Sequence, residues 1–187
     1  DALRADHLGC YGYDRPVSPH IDQFAAQAVL FERAQAQTSW TRASVASVFS
    51  GLMPQVHSAN DDDDALSDSV TTIAEYLRAA GYQTAGFTAN GNAGPNVGFA
   101  QGFQVFRHLG AARSEVLGEE FSPWLDDLDP DDPFFLWVHA VDPHAPYMPP
   151  DDLRKQFAPD VTDRNLGSVA RVSNLNRSWK NSPQQKL

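Results

Sequence analysis

Apolar positions recur at helical spacing in several stretches of the chain. In "TSWTRASVASVFSG", Val45, Val48 and Phe49 fall on one helical face, and Gly51 stands where a left-handed C-terminal cap is expected. In "SPHIDQFAAQAVLFERA", Ser18 is placed as N-cap and Pro19 at the first helical position. Ile21, Phe24, Ala25 and Ala28 then repeat at helical spacing, which predicts a short amphipathic helix running into a strand-like "VLFER". Thr72 and Glu75 form a capping box ahead of Ile73, Leu77 and Ala80; Gly81 ends that helix before a strand through Phe87. "SEVLGEEFSPWLDDL" predicts a further helix interrupted near Pro123.

"PFFLWVHAV" is a continuous apolar run of strand length, the pattern of a strand buried on both faces of a parallel sheet. Strands alternating with helices predict an α/β fold, a mostly parallel sheet sandwiched between helices. Functional residues should then gather at the carboxyl ends of the strands. Residues 1–160 form the expected domain, and 161–187 read as a polar, loosely ordered tail without clear periodicity. The glycine-rich "NGNAGPNVGFAQGF" reads as loop, and no P-loop lysine follows it.

Composition narrows the function. With 187 residues and 42% hydrophobic content the chain suits one globular domain, and no apolar run reaches a membrane span. A net charge of -10 argues against bulk electrostatic binding of nucleic acid. The single cysteine, Cys10, excludes an intramolecular disulfide and reads as a small packing residue. The acidic run Asp61 to Asp64 reads as a solvated loop, because consecutive carboxylates rarely converge on one ion.

Three polar clusters are placed at or after strand ends: Asp1 with Arg4, Asp6 and His7; Thr38 to Arg42; and "HAVDPHAPY", His139 to Tyr147. Carboxylates, hydroxyls, a guanidinium and imidazoles are the groups that bind a divalent ion and a tetrahedral oxyanion, with a hydroxyl as nucleophile. The first turn of the Thr41 helix offers unpaired N–H groups to such an anion beside Arg42. The plainer alternative is that Thr38 or Thr41 caps the helix and Arg42 pairs with a surface carboxylate.

The run from Asp1 to Ser58, together with "TTIAEYLRAAGYQTAGFTAN" and "HAVDPHAPYMPP", resembles the ordered blocks of the sulfatase family within the alkaline phosphatase superfamily. The resemblance implies that Asp1 binds the divalent metal, calcium in most sulfatases, with manganese, magnesium and zinc as alternatives. It puts Arg42 at the arginine of the C-x-P-x-R motif and Thr38 at the formylglycine position, as nucleophile and second metal ligand. His144 is similar to the histidine that contacts the sulfate or phosphate group, with His139 and Asn90 as further substrate contacts.

The sequence departs from the family pattern in four places. Threonine cannot become formylglycine, so Thr38 would attack directly, as threonines do in related phosphodiesterases and phosphoglycerol transferases. Trp40 replaces the motif proline, no lysine stands in "GFTANGNAG", and the "DHG" block is absent. The chain therefore reads as a fragment, inactive alone, of a periplasmic, extracellular or membrane-attached protein. The resemblance implies a hydrolase of sulfate or phosphate esters; a phospho-group transferase and a catalytically silent binding domain are the alternatives.

Overall fold

The computed structural model describes residues 2–180, and Asp1, placed above at the metal, lies outside them. Two compact units divide at Val141 and Asp142.

The first unit is built on a three-stranded parallel sheet of β1 (Gln83–Thr88), β2 (Val105–His108) and β3 (Phe134–His139), in the order β2-β1-β3. Ala85 pairs with Val105 and Leu136, and Thr88 with His108 and His139, so the three strands end level at their carboxyl edge. Only β1 is buried along nearly its whole length. β3 is parallel as expected, but it is an edge strand and only partly buried, which corrects the reading of burial on both faces.

Helices cover both faces of this sheet. On one face, α2 (Thr41–Ser50) and α4 (Ile73–Ala79) pack Ala46, Phe49 and Ala74 against Phe103, Phe106, Phe135 and Trp137. Phe49 meets Trp137 edge to face at 5.0 Å between centroids, a favoured arrangement for aromatic rings. Gly86 lies beneath Phe106, whose ring carbons would stand 2.7 Å and 2.8 Å from a Cβ at that position. On the other face, α5 (Ser114–Asp126) places Leu117, Phe121 and Trp124 over Ala85, Phe87 and Leu136. The expected sandwich is therefore formed, and the capping box at Thr72 and the left-handed Gly51 (φ 69°) end their helices as read from the sequence.

Other local expectations fail for physical reasons. α5 runs unbroken through Pro123: the lost N–H and the crowding of the preceding turn are offset by the packing of Leu117, Phe121 and Trp124. "VLFER" follows α1 (Pro19–Ala25) as irregular chain, with no strand beside it among the described residues to complete a ladder. The apolar positions of α1 face solvent, Phe24 being 75% exposed, and Val48 of α2 is exposed as well. α2 instead buries Arg42, Ala43, Ala46, Ser47 and Phe49, a face that includes an arginine and a serine. A short helix, α3 (Pro54–His57), packs on α2.

The second unit contains α6 (Asp151–Phe157) and α7 (Val169–Lys180). α7 lies where the sequence showed no clear periodicity. A cavity of ≈ 680 Å³ in this unit is lined by Tyr147, Met148, Val161, Leu166, Val172 and Leu175 among others, and by none of the residues assigned to the site from the sequence. No helix of the described residues is long and apolar enough to cross a membrane.

Candidate active site

Thr38 lies half-buried just ahead of α2, and its Oγ1 accepts a hydrogen bond from the Trp40 N–H at 3.3 Å. Neither Thr38 nor Thr41 caps the helix: the N-cap is Trp40, whose side chain cannot do so. The helix start therefore keeps free backbone donors, as an anion site requires. The Thr38 cluster follows no strand among the described residues; it stands at the start of α2.

Arg42 is buried, 5% exposed, and among the described residues no carboxylate forms an ion pair with it. Its Nη1 donates to three backbone carbonyls, of Asp61 at 2.8 Å, Asp62 at 2.5 Å and Asp64 at 2.6 Å. Nη2 donates to Asn92 Oδ1 at 3.0 Å, and the Trp40 ring lies under the guanidinium, 5.2 Å from centroid to Cζ. Trp40, standing where the resemblance expects proline, thus faces the cation with its π surface. Among the described residues the Arg42 Nε is buried without a partner, while its Nη donors are taken.

The carboxyl edge of the sheet brings further residues to this neighbourhood. Beyond Thr88 the chain turns at Asn90, whose Oδ1 accepts from the Asn92 N–H at 2.9 Å. Arg42, Asn92 and Asn90 are therefore linked in series. At the end of β3, His139 is level with Thr88 and receives the Ala89 N–H on its carbonyl at 2.9 Å. Burial holds the His139 imidazole below its ordinary pKa, so it is neutral at neutral pH, and its ring meets Trp137 edge-on.

His144 belongs to the second unit and is exposed; its Nδ1 lies 2.8 Å from the Ala145 carbonyl, which leaves Nε2 free of that contact. The amino-terminal cluster closes on itself, with Asp6 bridging Arg4 at 2.6 Å and His7 at 3.1 Å on the surface.

Among the described residues no group of three or more His, Cys, Asp or Glu side chains could hold a metal ion. Of the two ligands the resemblance implies, only the Thr38 hydroxyl is described. The described residues alone do not make the metal site. The acidic run supplies Arg42 with carbonyl oxygens, while Asp61 to Asp63 remain in solvent.

A family model for sulfatases matches residues 1–180. The chain belongs to the sulfatase family. Iduronate 2-sulfatase of Mus musculus is 37% identical to this sulfatase-family chain over 87 residues, which is 45% of the chain and 16% of that protein. An N-acetylgalactosamine-6-O-sulfatase of Bacteroides thetaiotaomicron is 32% identical over 89 residues, 45% of the chain and 17% of that protein. The match thus spans about a sixth of either relative. The crystal structure of the phosphonate monoester hydrolase of Agrobacterium radiobacter superposes on 86% of this chain, and on 43% of its own, with a TM-score of 0.70 at 22% identity. That likeness shows the shared fold. The sulfatase-family chain is accordingly similar to sulfatases in sequence, and its fold is shared with a protein of the alkaline phosphatase superfamily from Vibrio parahaemolyticus.

His57, Asp64 and Asn92, each bonded within this neighbourhood, have no site role assigned from the sequence, where Asp64 counts only as part of a solvated loop. Asn92 is fifty positions from the arginine it meets. No periodic pattern marks such a pairing.

Proposed function

We propose that the protein containing this chain hydrolyses sulfate or phosphate esters with Thr38 as nucleophile, in a periplasmic or extracellular setting. One observation supports the reading: Thr38, which the resemblance sets at the formylglycine position, lies just ahead of the uncapped start of α2, whose first turn carries the buried Arg42. Thr38 Oγ1 forms a bond to phosphorus or sulfur as the ester oxygen leaves, taking up the proton the hydroxyl loses. Water then cleaves the covalent intermediate and frees the hydroxyl. The positive field of Arg42 and the α2 N-terminus lowers the energy of charge gathering on the non-bridging oxygens. Asn90, His139 and His144 are the substrate contacts in this reading. A divalent ion, calcium foremost, would be held by Asp1 and Thr38 and would polarise the ester.

A threonine alkoxide suits phosphoryl transfer, so phosphodiesters are expected to turn over at least as well as aryl sulfates. In that protein, Thr38→Ala should lower kcat by on the order of 10³-fold or more, because covalent catalysis is lost. Ser39→Ala should leave turnover near the parent value. An active Thr38→Ala beside an inactive Ser39→Ala would refute the assignment, and full activity in both would leave the hydroxyls without a catalytic role.

A further inference from the structure

Arg42 is oriented by a cradle of backbone oxygens, and that cradle is itself held by two side chains the ester chemistry does not use. Asp64 Oδ2 accepts the N–H groups of Asn60 and Asp61, each at 2.8 Å. Folding the turn in this way points the carbonyls of Asp61, Asp62 and Asp64 at Arg42 Nη1. The two bonds also keep the Asp64 carboxyl below its ordinary pKa, as expected for a carboxylate that collects backbone donors.

The entry to the turn is fixed by His57. This ring is 3% exposed; its Nδ1 accepts the Ala59 N–H at 3.1 Å, which leaves Nε2–H to donate to Ser47 Oγ at 3.0 Å. Ser47 is on the buried face of α2, the helix that also carries Arg42. The Asn60 side-chain amide closes the turn on the Pro54 carbonyl at 3.0 Å. The turn is thus tied at both ends to the helix whose arginine it grips.

We infer that His57 and Asp64 are positioning residues, which fix the Arg42 guanidinium at the mouth of α2 through the Ala59–Asp64 turn. A guanidinium buried away from water must find its acceptors in the protein, and three carbonyls on one nitrogen hold its plane more firmly than a mobile surface carboxylate would. The catalytic consequence rests on the ester-hydrolase reading above; the geometric one does not.

The test separates the two. In the present chain, labelled with nitrogen-15, the Arg42 Nη protons should give separate, slowly exchanging signals, assigned by their loss in Arg42→Lys. Asp64→Ala and His57→Ala should collapse these signals into averaged ones, whereas His57→Gln, which can still accept and donate, should keep them. Unaltered Arg42 signals in folded Asp64→Ala and His57→Ala would overturn the inference. If neither alanine variant folds, amide exchange in the parent chain decides: protection is expected at Ala59, Asn60 and Asp61, and fast exchange there would overturn it. In the protein containing the chain, Asp64→Ala should lower kcat about tenfold or more with KM little changed. Collapse of the Arg42 signals in a protein with no esterase activity would refute the function and leave the positioning role standing.

Discussion

At the scale of the residue, a buried imidazole and a buried guanidinium are satisfied in opposite ways. The Arg42 guanidinium spends its Nη1 donors on backbone oxygens. His57 is kept neutral: burial pushes its pKa below the ordinary value, partly offset by the backbone of Ala43 and of His57 itself. A neutral native His57 binds fewer protons than the unfolded chain, so its contribution to stability is complete above about pH 6.5, the ordinary histidine value. It is lost as the pH falls through that value towards the lower folded pKa. Urea unfolding at a series of pH values from 7.5 to 5 should therefore show a falling midpoint, and His57→Gln should reduce that slope, leaving the part that the buried His139 contributes in the same window. Carboxylates such as Asp64 and Asp163, whose native pKa values are also lowered, lose their contributions only at more acid pH, which keeps the two effects apart. An equal slope in the variant would remove His57 as its cause.

At the scale of the element, helix ends were legible where one local chemistry decided them. The Thr72 hydroxyl accepts the Glu75 N–H at 3.3 Å, and Glu75 returns a carboxylate to the Thr72 N–H at 2.8 Å. Thr72→Ala should destabilise the fold by about 1–2 kcal/mol, the upper part of the range for caps, because the fully buried hydroxyl also reaches the Gln101 carbonyl. Chemical denaturation with an unchanged m-value checks this, and a change under about 0.5 kcal/mol would mean the box contributes little. The start of α2 was not legible in this way. The hydroxyl of Thr38 or Thr41 offered a cap, yet Trp40 holds that position and the hydroxyl of Thr38 turns back on the Trp40 N–H. Residue type restricts which caps can form, and only the path of the chain into the helix selects among them.

At the scale of the whole molecule, the sheet orders the first unit by burial. β1 has helices over both faces and a strand at either side, whereas β2 and β3 are edges. Amide exchange should accordingly be slowest at Ala85 to Thr88, and β2 or β3 amides outlasting them would contradict this ranking. The sequence alone determined the α/β class, the parallel strands, the capping box and the left-handed glycine after α2, because each follows from a short-range pattern of residue types. It also carried the sulfatase family, through ordered blocks whose side chains recur at fixed spacing. The tertiary structure decided which strand is central, which face of α2 is buried and what Arg42 touches. Burial depends on which segments arrive from far along the chain, and a guanidinium takes any oxygen within reach, so the carbonyls of an acidic run and the amide of Asn92 became its partners only once the fold had brought them there.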